Sequence, residues 1–165
     1  MIRRFARDRK GTAATEFALA LPMMFALMFV GMEAGHFFWT QHKLVKAVRD
    51  GARYASRADV EDLCNGNTAA IDATLATQIR NVTVTGQVAA GGTPKVPGWD
   101  PDDVVITVGC GQFLATGIYT DLGSAGPLVT VSTGSVTYPA ILNGLGVLNT
   151  GISMSAESNA AVMGI

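Results

Sequence analysis

The chain has 165 residues, 48% of them apolar and 15% charged, and its mean hydropathy is +0.30. That balance is too apolar for an ordinary water-soluble domain and fits one small domain joined to a lipid-embedded segment. The formal charge of −1 conceals an asymmetry, because beyond Arg57 only Arg80 and Lys95 stand against nine acids, a distribution that excludes nucleic-acid binding by the distal part.

Residues 1–11 read as a basic leader in which Arg3, Arg4, Arg7, Arg9 and Lys10 outweigh the single acid Asp8, with Gly11 at its end. Glu16 follows, at the head of a long apolar run. A charge placed inside a bilayer costs about 2.5–3.5 kcal/mol on insertion scales, so this carboxylate marks a functional position by default. From Phe17 to Trp39 the run has one interior charge, Glu33, and at the helical rise it spans roughly 35 Å, enough for the bilayer core. The uncharged part, Phe17 to Met32, spans only roughly 24 Å. Glu33 and His36 are therefore expected near the far interface, Glu33 snorkelling to water or meeting a partner helix, with Phe37, Phe38 and Trp39 as an aromatic anchor. The leader keeps the N-terminus cytoplasmic and sends the distal domain across the membrane. Lys43, Lys46, Arg49, Arg53 and Arg57 pull the other way, but the flank preceding the first helix usually decides. A cleaved secretory signal would need small residues after the apolar region, where Met32-Glu33-Ala34 offers bulky and charged ones. The span is expected to be retained, and a plain signal anchor with an incidental Glu16 is the alternative.

Past the membrane, Leu44, Val48, Ala52 and Ala55 recur at helical spacing, which predicts an amphipathic continuation to about Arg57, within a segment 40–63. Asn67 or Thr68 is expected to cap a second helix carrying Ile71, Leu75 and Ile79 and ending before Asn81. The period then changes to two. Val82–Thr85, Val104–Val108, Val129–Ser132 running on to Val136–Tyr138, and Ile152–Ala156 are strand candidates. Ala89–Pro101 and Gly117–Pro127 are rich in Gly and Pro and read as loops. The expected fold class is α+β: residues 12–39 cross the membrane as a helix, residues 40–63 continue it, and residues 64–165 form a small extracytoplasmic domain with a short antiparallel sheet.

Gly11, then four residues, then Glu16 at the start of an apolar helix resembles the processing signal of type IV prepilins. The fuller order is more specific: Gly11-Thr12-Ala13-Ala14-Thr15-Glu16-Phe17-Ala18-Leu19-Ala20-Leu21-Pro22, then Gly31-Met32-Glu33-Ala34-Gly35, then Ala47-Val48-Arg49-Asp50-Gly51-Ala52-Arg53-Tyr54-Ala55-Ser56-Arg57. Together these look like the N-terminal module of TadE-like proteins, the minor pilins or pseudopilins of tight-adherence (Tad/Flp) pilus systems. Val136-Thr137-Tyr138-Pro139 with a small-residue-rich tail is more loosely similar. Thr12 as first mature residue, where many major type IV pilins have Phe or Met, and Pro22 at mature position eleven point to the Tad branch. The resemblance implies a single-pass protein of the bacterial inner membrane, cut between Gly11 and Thr12 by a prepilin peptidase. It also implies partners among other pilins and the Tad assembly platform, with Glu16 as an assembly contact, and a role in adhesion and biofilm.

Gly31 and Gly35 form a small-xxx-small pair suited to close helix packing, although glycine is common in membrane helices. Export, two cysteines and no CxxC motif favour one disulfide, Cys64–Cys110. Enzyme chemistry is hard to assemble. His36 and His42 are six apart and point to different helix faces, so they do not form a metal pair, and no nucleophile–base set is anchored by a motif. Asp100, Asp102 and Asp103 lack the rest of a calcium loop and read as a solvated acidic turn. No metal, cofactor or small-molecule substrate is expected. Outside a pilus pathway, the rival readings are a signal-anchored structural or adhesive protein and an anchored enzyme.

Overall fold

The helical spacing that begins in the apolar run and continues through Leu44, Val48, Ala52 and Ala55 builds one helix, α1 (Thr12–Ala55), 44 residues and roughly 66 Å long. The computed structural model describes residues 11–113, 126–146 and 151–163; the basic leader before Gly11 and residues 117–125 of the second expected loop lie outside them. Pro22 sits inside α1, where it withholds one backbone donor without ending the helix. Ser56 N–H closes the last turn on the carbonyl of Ala52, so the helix stops short of Arg57 and of residue 63.

The two halves of α1 live in different surroundings. Phe17, Leu19, Met23, Met24, Leu27, Met28 and Val30 are exposed, Leu19 by 81%, whereas Leu44, Ala47, Val48, Ala52 and Ala55 are buried. The first half is long and apolar enough to cross a membrane, and no other part of the described chain covers it. The second half is the spine of the domain.

After a short helix α2 (Val60–Leu63), strands β1 (Cys64–Asn65) and β2 (Thr68–Ala69) pair as a small hairpin turning through Gly66, whose φ of 61° suits glycine. Helix α3 (Ala73–Thr85) follows, and two expectations are corrected there. Its N-cap is Asp72, whose carboxylate accepts from Thr74 N–H (2.8 Å) and Leu75 N–H (3.0 Å), while Asn67 and Thr68 belong to the hairpin. Val82–Thr85, expected as a strand, is the last turn of α3. Burial of Thr83 and Val84 against the core overrides their β-branched preference, and the Thr83 and Thr85 hydroxyls bond back to the carbonyls of Ile79 and Asn81. Gly86, left-handed at φ 83°, ends the helix.

The segment from Gly86 to Asp100 carries no regular structure, yet Val96 and Trp99 from it are fully buried. Strands β3 (Val104–Phe113), β4 (Gly126–Thr133) and β7 (Glu157–Ala161) form an antiparallel sheet in the order β3-β4-β7. Gly126 and Pro127, expected in a loop, are the first two residues of β4. The expected Ile152–Ala156 strand is shorter: β6 (Ser153–Met154) pairs with β5 (Val136–Thr137), and the chain then crosses to β7. Strict alternation along β4 turns Val129, Val131 and Thr133 inward, where β4 packs on α1 and α2, while α3 packs on α1 and β3. The architecture is α+β, a long N-terminal apolar helix followed by small antiparallel sheets.

The tightest crossing in this core is made by Gly51. A Cβ there would stand 3.2 Å from Thr83 Cβ and closer still to its hydroxyl oxygen, so glycine lets α1 and α3 touch. The sulfurs of Cys64 and Cys110 are bonded, with Cα atoms 6.0 Å apart, tying the β1–β2 hairpin to the middle of β3.

Candidate functional site

The chemistry-bearing residues fall at two places along α1. At its start, Gly11 is exposed and occupies the N-cap position without a side-chain cap, and Thr12 opens the helix. The Thr15 hydroxyl donates to the Thr12 carbonyl (2.8 Å). Glu16 lies exposed on the first turns. Fifteen residues further on, Gly31 and Gly35 are exposed as well, and a Cβ added at either would meet nothing within 4 Å. None of these residues is covered by the chain's own domain. The structure brings Gly11, Thr12 and Glu16 to one end of the naked half of α1, with Gly31 and Gly35 towards the other end.

The second place is the junction where the naked half meets the domain, and sequence reasoning missed its construction. Glu33 is only 8% exposed. Its two carboxylate oxygens accept the backbone N–H groups of Ile141 and Leu142, each at 3.1 Å, capping the 3-10 turn Leu142–Leu145 from across the chain. Tyr138 Oη donates to the Glu33 carbonyl (3.1 Å) and lies 2.9 Å from His36 Nδ1. Because the single hydroxyl proton goes to that carbonyl, the imidazole hydrogen is assigned to Nδ1. Burial first, then the adjoining Glu33 carboxylate, push the Tyr138 hydroxyl up to about 12, so it remains a donor throughout the physiological range.

Glu33 therefore neither snorkels to water nor awaits a partner helix; it is spent within the chain. The expected aromatic anchor divides in the same way. Phe38 and Trp39 face outward, 62% and 55% exposed, while Phe37 packs edge-on against Tyr138 with ring centroids 5.2 Å apart. Lys43 Nζ lies 3.6 Å from the Trp39 ring centroid. Only a long-range partner, Tyr138 some hundred residues away, distinguishes Phe37 from its neighbours, and no local pattern announces it.

Elsewhere the acidic turn is accounted for by its own hydrogen bonds. Asp100 accepts from Asp102 N–H (2.9 Å) and Asp103 accepts from Asp100 N–H (3.1 Å), a reciprocal cap on the turn Pro101–Asp103. Among the described residues no group of three or more His, Cys, Asp or Glu side chains is placed to hold a metal ion. Asp50 pairs with Lys95 at 3.5 Å, which pins the irregular segment over the end of α3, where Lys95 Nζ also reaches the Val82 carbonyl (3.3 Å).

A helix bare and apolar for its first half, and clamped for its second half to a small sheet, defines an α+β protein with one candidate membrane-spanning helix among the described residues. Residues 11–53 match the TadE-like protein family, so the N-terminal module is similar to that of TadE-like proteins, and the distal domain lies outside the match. No curated protein and no solved structure matches the chain.

Proposed function

We propose that this chain is a minor pilin or pseudopilin of a Tad/Flp pilus, inserted in the bacterial inner membrane with its N-terminus cytoplasmic and its distal domain on the extracytoplasmic side. A prepilin peptidase removes the leader between Gly11 and Thr12. The observation that carries the reading is the family match beginning at Gly11, over a helix whose first half is exposed among the described residues. Cleavage creates a positive α-amino group on Thr12, one turn from Glu16. Glu16 of one subunit then pairs with the new terminus of its neighbour, which offsets part of the cost of holding each charge near lipid and makes assembly conditional on processing. Gly31 and Gly35 offer a close-packing stripe for a neighbouring pilin helix. The domain held outside contributes to adhesion and biofilm.

The test uses Glu16→Gln and Glu16→Ala expressed with the peptidase and the other pilins. Both variants are expected to be cleaved like wild type and to fail to recover pilin partners after membrane extraction. Normal cleavage with normal piliation in both would remove the intersubunit role.

A further inference from the structure

We infer that the corner of the domain formed by Tyr138–Leu142 and Ile152 is immersed in the bilayer, with the acyl chains of the domain-side leaflet filling the groove it makes against α1. The inference rests on reading α1 as a membrane span. Its ground is a depth argument from two directions.

Counting inward, Phe38 and Trp39 are the exposed aromatics at the end of the span, and the Lys43 ammonium over the Trp39 ring suits the headgroup level. Glu33 is six residues deeper, about 9 Å along the helix axis. Counting outward, a hydrocarbon core of about 30 Å needs about 20 helical residues from Phe17, which reaches His36. Both counts put Glu33 below the interface. The backbone nitrogens of Ile141 and Leu142 lie 3.1 Å from the Glu33 oxygens, so the loop that carries them shares that depth.

The loop is built for such a position. Polar backbone at membrane depth must be satisfied inside the protein, and Glu33 takes the two N–H groups that open the 3-10 turn while Tyr138 takes the Glu33 carbonyl. From Tyr138 to Leu142 and at Ile152 the exposed side chains are apolar, whereas Asn143, next in the turn, is an exposed amide. Ile141 and Ile152 are 43% and 41% exposed, and a groove of about 460 Å³ runs between the corner and α1, lined by Val30, Ala34, Phe37, Phe38, Leu142 and Ile152 together with Glu33 and Tyr138, whose carboxylate and hydroxyl are hydrogen-bonded within the chain. Val30, which lines the groove, stands one helical step from exposed Leu27, and Leu27 one step from exposed Met24, so the apolar face of α1 runs on into it. In water it would be a standing cost; at this depth acyl chains occupy it.

The full chain, carrying Ile141→Cys or Ile152→Cys singly, is labelled with an environment-sensitive fluorophore; the bridged Cys64 and Cys110 do not react. Leu27→Cys marks the span and Val105→Cys, exposed on β3, marks the water side. Each is reconstituted in vesicles of phosphatidylethanolamine and phosphatidylglycerol and quenched by nitroxide on the upper acyl chain or by iodide in solution. The labels at 141 and 152 are expected to be quenched several-fold more by the lipid nitroxide than by iodide, as at 27, and 105 the reverse. If 141 and 152 behave like 105 while 27 stays lipid-quenched, the span stands and the immersed corner falls. Shielding of both labels from both quenchers means that a second copy or another protein covers the corner, which also overturns it. Loss of lipid quenching at 27 rejects the span itself.

Discussion

Replacing Gly51 with alanine tests whether α1 and α3 cross as closely as the packing requires. In an isolated helix the change would help, since alanine is favoured over glycine by about 0.8–1 kcal/mol. Here the new Cβ meets the side chain of Thr83, which is fully buried and held by its hydrogen bond to the Ile79 carbonyl at 2.7 Å, so it has no free rotamer to retreat to. Overpacking of this kind costs about 1–3 kcal/mol, and the balance is a net loss of roughly 1 kcal/mol. Thr83→Ala removes the obstructing oxygen, and Gly51→Ala should then become neutral or stabilising, giving a favourable coupling of about 1 kcal/mol or more in a double-mutant cycle. Denaturant unfolding of the detergent-solubilised chain, followed by fluorescence of the buried Trp99, reads all four proteins. If Gly51→Ala alone stabilises and the two changes add without coupling, the close crossing is wrong.

Other consequences follow from the same geometry. Cys64→Ser with Cys110→Ser opens a link across 46 residues and should lower stability by about 4 kcal/mol on the chain-entropy model, measured by denaturant melts against the oxidised wild type. Tyr138→Phe keeps the ring against Phe37 but removes the hydroxyl shared by His36 and the Glu33 carbonyl, a loss of about 1 kcal/mol, and hydrogen exchange should quicken at Ile141 and Leu142. The Asp72 carboxyl is held below its ordinary value by the Leu75 N–H first, with those of Thr74 and Ala73 adding to it. Its cap therefore contributes fully above the ordinary aspartate pKa and is lost as pH falls through the depressed folded value; Asp72→Asn should flatten that acid limb of the melting profile. Gly11→Leu should leave a longer precursor, visible on a gel beside processed wild type.

Much of this architecture was readable from local pattern because it depends on local pattern. The 3.6-residue recurrence of Leu44, Val48, Ala52 and Ala55, and the alternation of Val129, Val131 and Thr133, each commit one face to the core whatever the partner is. Val82–Thr85 misled because β-branched residues favour strands unless burial decides, and Gly86, one residue past the last turn, was the available sign of a helix end. Glu157–Ala161 has little strand preference of its own and is a strand only because the edge of β4 offers it a ladder. The junction was least legible. A glutamate in an apolar helix says that a partner is needed, and only the tertiary fold reveals that the partner is the backbone of Ile141 and Leu142.

The central claim is that an N-terminal leader is cut from a retained membrane helix, and intact mass spectrometry of the chain extracted from membranes, expressed with a prepilin peptidase, tests it most directly. The account predicts a mature protein beginning at Thr12, carrying the whole span and the Cys64–Cys110 bridge. A chain beginning at Met1, or one cut beyond Trp39, would contradict it.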